Sequence, residues 1–307
     1  MNSLESVLNI NSSGDNFKVP TLNLGDHSAE DSLQLIADNA DAIKEETYRY
    51  GLVLLRGVAK CDIETFVDTG RSFGDVESIK DINLEVDAPA GDPRWYIESV
   101  ERNGDDTDIP TTQRAVHQDR SYTNRPSDLS ILRVTTPAEI GGNTNFVDMR
   151  AVYNFMNEPG DIRDVIAPHS LEDLQIAHSH SDTLAEYLDS PTPNESVLPL
   201  VAVHPVTGEK AIYHSEANVL RIYGVPRRVG AQVSQRIVDL SSGVFSTRGS
   251  LVPRYSHAWE STDDRCDMIV WDNRIVGHAS TASNGYRYGE RLTIADSPAT
   301  DWSGATR

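Results

Sequence analysis

LSILRV (129–134), LPLVAV (198–203), SLVPRYSHAW (250–259), CDMIVWD (266–272) and RLTIAD (291–296) are five short apolar runs rich in β-branched and aromatic residues. That composition reads as strands. Helical patterns interrupt them only near Asp148–Met156 and Pro226–Leu240. A doubly wound parallel sheet needs regular alternation of strand and helix, which this order lacks. The pattern therefore favours a mainly β fold, a β-sandwich or jelly roll with helical insertions.

Outward from these runs, DSLQLIADNADAIKEETYRYG (31–51) places Leu33, Ile36, Ala40 and Ile43 at three- and four-residue steps. This predicts one amphipathic helix ended by Gly51. GLVLLRGV (51–58) follows as a buried strand, and a second helix is expected over about Asp62–Phe73. Between Ile79 and Gln113 a single strand, Trp95–Val100, is expected between two loops, the second being the acidic ERNGDDTDIPTT (101–112). Long loops of this kind often cover sites. Residues 1–15 read as a loose tail and 16–307 as one domain, a size that a chain of 307 residues permits.

The charge balance narrows the partners. Lys plus Arg total 27 against 47 Asp plus Glu, a formal net charge of −20. Such a field repels polyanions and argues against a nucleic-acid or anionic-membrane partner, so any anionic ligand needs a local basic site. No run approaches the ~20 apolar residues of a membrane span, and the N-terminus lacks the basic and apolar regions of a secretory signal. Cys61 and Cys266, the only 2 cysteines, form neither a disulfide framework nor a thiolate zinc motif. A reducing cytoplasm is the expected compartment.

Nine histidines raise the question of metal ligation. A histidine two residues from a carboxylate on a strand shares a face with it and can hold a metal. At roughly 0.15 acidic residues per position, about 1.4 such pairs arise by chance. Three occur: His117 with Asp119, His180 with Asp182, and His214 with Glu216. AHSHSDTLAEYLDS (177–190) reads as exposed, with Asp182 capping a helix start. His214, in KAIYHSEANVLRIYG (210–224), fits either a short strand lining a pocket or a hydrogen-bonded, half-buried histidine. His117 follows a loop and precedes a strand, which places ligands at the rim of a rigid sheet.

Later segments add to His117. PAEIGGNTNFVDMRAVYNFM (137–156) has a Gly-Gly pair that lets backbone approach closely, then the hydroxyl of Thr144. CDMIVWDNRIVGH (266–278) carries a strand into Asp272-Asn273-Arg274 and then His278. GYRYGERLTI (285–294) follows with Arg287 and Arg291, four apart on an extended segment and so on one face. A guanidinium fork in a pocket is the natural partner of a carboxylate.

In this order, GLVLLRGV, VHQDRSY (116–122), GGNTNFVDMRAVY (141–153), HPVTGEKAIY (204–213) and WDNRIVGH (271–278) resemble the taurine dioxygenase (TauD/TfdA) family of iron(II)- and 2-oxoglutarate-dependent dioxygenases. The resemblance implies a double-stranded β-helix core of cupin type. It implies that His117, Asp119 and His278 hold iron(II), leaving positions for 2-oxoglutarate and O2. It implies further that Thr144 helps bind the distal carboxylate of 2-oxoglutarate, with Arg287 or Arg291 as the clamp. Family order favours Arg287 for the clamp and Arg291 for substrate, yet Arg287 follows His278 more closely than is usual, whereas Arg291 sits comfortably within the usual spacing. Trp271 and Asp272 read as supports for the sheet and turn.

The implied reaction oxidises an unactivated C–H bond of a small metabolite and releases succinate and CO2. Asp119 argues for hydroxylation, or for another outcome such as desaturation, over halogenation, because halogenating relatives carry a small residue there. The competing class is a non-catalytic jelly roll that retains a metal, which would need neither open coordination positions nor paired arginines. The segment from Ile79 to Val116 lacks a histidine, which departs from the taurine-specific pattern. The expected substrate is an amino-acid derivative or other carboxylate, with weakly basic or zwitterionic molecules as the alternative. Candidate pocket liners are Trp95, Tyr96, Tyr122, Tyr213, His214 and Arg291. Homodimers or higher assemblies are common among similar proteins.

Overall fold

In the computed structural model, residues 8–12, 17–79, 91–105, 115–179, 195–243 and 251–296 are described. Among them the strands are β1 (Leu8–Ser12), β2 (Lys18–Asn23), β3 (Leu52–Ala59), β4 (Asp75–Val76), β5 (Glu98–Asp105), β6 (Leu129–Thr136), β7 (Ile140–Gly141) and β8 (Thr144–Asp148). The chain continues with β9 (Gln175–Ser179), β10 (Glu195–Pro199), β11 (Val201–Val203), β12 (Lys210–Ile212), β13 (Val219–Tyr223), β14 (Arg254–His257), β15 (Arg265–Asp272), β16 (Val276–Ser280) and β17 (Ser283–Ala295). Helices are α1 (Ala29–Asp38), α2 (Ala40–Tyr50), α3 (Ile63–Arg71), α4 (Met149–Met156), α5 (Ile162–Ile166) and α6 (Arg227–Ser242). None is long and apolar enough to cross a membrane.

The runs at 51–58, 129–134, 266–272 and 291–296 become the centre of a large sheet in the order β1-β2-β3-β15-β6-β17-β4, with β5 and β7 also paired to β17. Along β15, Ile269 and Trp271 enter one core while Met268 and Val270 enter another. In β3, Leu52 and Leu54 part from Val53 and Leu55 in the same way. Residues two apart share a face, so the sheet is buried on both sides and its strands read as unbroken apolar stretches. One face is covered by Ile36, Ile43 and Phe66 of the first three helices. The other packs against the small sheet β14-β8-β16 through Phe146 and Val276, closing a jelly roll whose interior holds the site.

Several local readings change. The helix over 31–51 is two: Asn39 leaves helical geometry at φ −116°, and its Nδ2 donates to the Leu35 carbonyl at 2.8 Å, closing α1 before α2 begins. Asparagine competes with the helix ladder in this way. Gly51 does end α2, at φ +92°, where a Cβ would stand 2.6 Å from Val276 Cγ2. LPLVAV is cut at Leu200, β10 joining β9 while β11 pairs with β12. Of the described part of SLVPRYSHAW, residues 251–259, only Arg254–His257 is strand. The strand expected at Trp95–Val100 starts later, after a 3-10 turn at Pro93–Tyr96, and runs into the acidic stretch because β17 is long enough to pair with it as far as Asp105. Within the tail, Leu8–Ser12 pairs with β2. His180 and Asp182 lie outside the described residues.

Candidate active site

Two metal-ligand candidates from distant parts of the chain are joined backbone to backbone. His117 N–H donates to the His278 carbonyl at 2.9 Å and His278 N–H to the His117 carbonyl at 2.8 Å. Residues that exchange both bonds of an antiparallel pair project their side chains to one side, and the rings lie 4.2 Å apart between centroids. Asp119, two residues on from His117, completes the group: one ligand atom from each of the three lies within 4.8 Å of the others.

The donor chemistry suits a divalent metal. His117 Nδ1 lies 3.1 Å from the Ala115 carbonyl, which can only accept, so Nδ1 carries the proton and Nε2 keeps its lone pair. Burial pushes His278 down to about 3 despite the Asp119 carboxylate, with His117 and Arg291 adding to the fall. Burial likewise lowers His117 against the pull of Asp119. Burial alone would raise Asp119, but Arg291, the two imidazoles and the Ser130 hydroxyl bring it down to about 2. Two neutral imidazoles beside an ionised carboxylate form the set that iron(II) takes in mononuclear oxygenases.

Asp119 is held from every side. Ser130 Oγ donates to its Oδ2 at 2.6 Å, and Arg291 Nη1 donates to Oδ1. Its backbone is gripped by Asn273, which accepts from Asp119 N–H at 2.7 Å and donates Nδ2 to the Asp119 carbonyl at 2.9 Å. Gln118 adds a second tie, accepting from His214 N–H at 2.8 Å and donating to the Asn273 carbonyl at 3.1 Å. The turn carrying Asn273 is itself fixed by a buried charge network. Arg274 makes a bidentate pair with Asp272 at 2.8 and 2.6 Å, His204 Nε2 reaches Asp272 at 2.8 Å, and Arg274 lies 3.7 Å from Asp128 and 3.6 Å from Asp296. Asp272 thus supports the turn, as the sequence suggests.

A second polar group lies deeper in the roll. Thr144 opens β8 opposite Ser280, while Phe146 of the same strand faces His278. Thr144 therefore sits on the His278 side, about 7 Å further along the strand. Its Oγ1 accepts from Trp259 Nε1 at 3.0 Å, so its own hydrogen points elsewhere; among the described residues no acceptor takes it. Buried Arg287 places its Cζ 6.0 Å from the Trp259 ring. Gly142, at φ +70°, lets the backbone pass Arg287: a Cβ there would stand 3.2 Å from Arg287 Cδ.

The two arginines are thereby separated. Arg287 belongs to the Thr144 corner, while Arg291 spans Asp119 and, through Nη2 at 2.6 Å, Glu98 directly opposite on β5. Tyr122 lies beside this pair, and the Tyr213 hydroxyl reaches the Asp119 carbonyl at 3.5 Å. Other expected liners face elsewhere. His214 is buried with Nε2 on Ser234 of α6 at 2.9 Å, and burial lowers it to about 4. Tyr96 lies under Arg71 of α3. Glu98, Asn273 and Trp259 escape the sequence reading because each acts through a partner more than a hundred residues away, and Ser130 because an isolated serine in a strand run carries no ligand signal.

A jelly roll with two imidazoles and a carboxylate grouped beside a buried threonine and arginine defines the class of mononuclear iron oxygenases that use a dicarboxylate co-substrate. Residues 18–293 match the model of the taurine catabolism dioxygenase TauD, TfdA family, and the chain belongs to that family of 2-oxoglutarate-dependent dioxygenases. It is 26% identical over 272 residues to pentalenolactone F synthase of Streptomyces arenae, covering 82% of this chain and 85% of that protein. It is 29% identical over 177 residues to (S)-phenoxypropionate/alpha-ketoglutarate-dioxygenase of Sphingobium herbicidovorans, covering 54% of this chain and 55% of that one. A taurine dioxygenase structure from Burkholderia xenovorans shares the fold, with TM-score 0.64 at 19% identity over 97% of this chain and 98% of that chain.

Proposed function

We propose that His117, Asp119 and His278 hold iron(II), that Thr144 and Arg287 hold the distal carboxylate of 2-oxoglutarate, and that the space by Arg291, Glu98 and Tyr122 receives a small metabolite. The convergence of the three ligand atoms within 4.8 Å carries this reading. Bound iron(II) supplies O2 activation coupled to oxidative decarboxylation of 2-oxoglutarate to succinate and CO2, and with it oxidation of a substrate C–H bond, most simply a hydroxylation. The protein orients and excludes. The Ala115 carbonyl fixes the His117 tautomer, Ser130 and Arg291 fix the carboxylate of Asp119, and Asn273 fixes its backbone. The Thr144–Arg287 corner lies about 7 Å along the strand from His278, close to the span of a five-carbon diacid.

Anaerobic addition of iron(II) and 2-oxoglutarate tests the reading: a weak visible charge-transfer band is expected, and metal binding without a band supports the non-catalytic alternative. Arg287→Ala separates the arginines. Truncating one side of a buried charged pair costs about 2–5 kcal/mol, so the Kd for 2-oxoglutarate should rise at least ~30-fold. Measured at saturating metal, Arg291→Ala should leave it within a few-fold. The opposite result reassigns the clamp. The strong negative charge supports an enzyme without nucleic-acid or anionic-membrane partners; a cytoplasmic location, in keeping with only 2 cysteines, and residues 16–307 working as one domain complete the reading.

A further inference from the structure

Arg291 would ordinarily be a ready anchor for an anionic substrate, but here its two terminal nitrogens are already engaged. Nη1 is on Asp119 and Nη2 is 2.6 Å from Glu98 Oε2. The Glu98 bond is built into the sheet, because Arg291 and Glu98 are directly opposed in the β17–β5 register. Cross-strand opposite charges hold each other in this position. Val100, two residues along β5 and so on the Glu98 face, packs on the core that lines the roll interior, which places Glu98 on the site side of the sheet.

Exposure sets the order in which a substrate meets these groups. The Glu98 side chain is 37% exposed and that of Arg291 is 15% exposed. An incoming molecule therefore reaches the carboxylate first and finds the guanidinium beneath it, flanked by Glu98 and Asp119. With Asp119 committed to the metal, a substrate carboxylate would meet a guanidinium already neutralised by Glu98, with the Glu98 carboxylate nearest to it, and like charges brought together oppose binding. An ammonium, amide or hydroxyl would find an acceptor at the mouth. The field of Glu98 extends to the Tyr122 phenol, which burial first and Glu98 next push up to about 12.

We propose that Glu98 is the specificity-determining residue of the substrate pocket: by occupying Arg291 it selects substrates that lead with an N–H or O–H donor, neutral or cationic, and turns away those that lead with a carboxylate. This rests on the iron and 2-oxoglutarate assignment above, and it narrows the small metabolite away from the carboxylates suggested by sequence. The pocket chemistry is thus set by a pair, not by the arginine alone.

The test uses the full chain loaded with manganese(II) and 2-oxoglutarate, with phenylacetate, phenylacetamide and phenethylamine as matched probes. Binding is read by tryptophan fluorescence and by thermal midpoint. The native protein should hold the amide and the amine at least about tenfold tighter than the acid. E98Q, which keeps the shape and removes the charge, should gain phenylacetate binding and lose phenethylamine binding by similar factors. Native preference for phenylacetate, or an E98Q protein that fails to gain it while its thermal midpoint stays native, overturns the proposal. If manganese(II) and 2-oxoglutarate themselves leave the thermal midpoint of the native protein unmoved, the site assignment fails instead, and the two failures are thereby told apart.

Discussion

Asp119→Ala is expected to reduce succinate formation to background. Loss of a group that merely orients a metal ligand costs 10–100-fold, so loss of the ligand itself should exceed about a hundredfold. The carboxylate is the point where four contacts meet: the Ser130 hydroxyl at 2.6 Å, the Arg291 guanidinium, and the two imidazoles. Its removal leaves Arg291 with Glu98 alone and leaves two neutral rings as the metal donors. The measurement is succinate released from the iron-loaded protein, with metal-dependent thermal shift as the second readout. His278→Ala should behave alike. Turnover above a tenth of native in either variant means that the donors are other residues.

Arg274→Met gives the largest expected loss of stability. Arg274 and Asp272 are both 0% exposed, and the guanidinium also faces Asp128 and Asp296. Removing the cation leaves buried carboxylates uncompensated, a change that typically costs about 3–5 kcal/mol. For a chain of this size that lowers the thermal midpoint by roughly 5–8 °C. The same network gives an acid limit. Burial would raise Asp272, but Arg274 and the His204 ring lower it from 3.8 to about 2. Its folded pKa is thus below the unfolded one, so its contribution is present above about pH 4 and is lost as pH falls toward 2. Urea titrations of native protein and Arg274→Met across that range should converge; a constant gap between them would place the stability elsewhere.

Much of the fold and the site can be read locally. The runs of β3, β6, β15 and β17 become the two-sided sheet because they have enough apolar residues to fill both faces, as Met268 through Trp271 do. His117 and Asp119 are legible as a pair because strand spacing aligns them, and His278 because it ends a motif. The two arginines are not separable this way. Four residues apart on β17 they share a face, and what distinguishes them is what lies across: Glu98 on β5 for one, the Thr144–Trp259 corner for the other. Register between distant strands is fixed by the assembled sheet, not by either segment. The same holds for Asn273, whose amide is ordinary until the turn places it on the Asp119 backbone. His214 misleads for the converse reason: its spacing to Glu216 imitates a ligand pair, while α6 offers Ser234 to its ring.

The reciprocal bonds between His117 and His278 have a bearing on when the protein can take up iron. One imidazole is translated long before the other, and β16 must zip against β8 before the second arrives beside the first. A nascent chain on the ribosome that stops short of that strand holds His117 and Asp119 without the third donor, so the complete cradle exists only once the last strands of the barrel have been made.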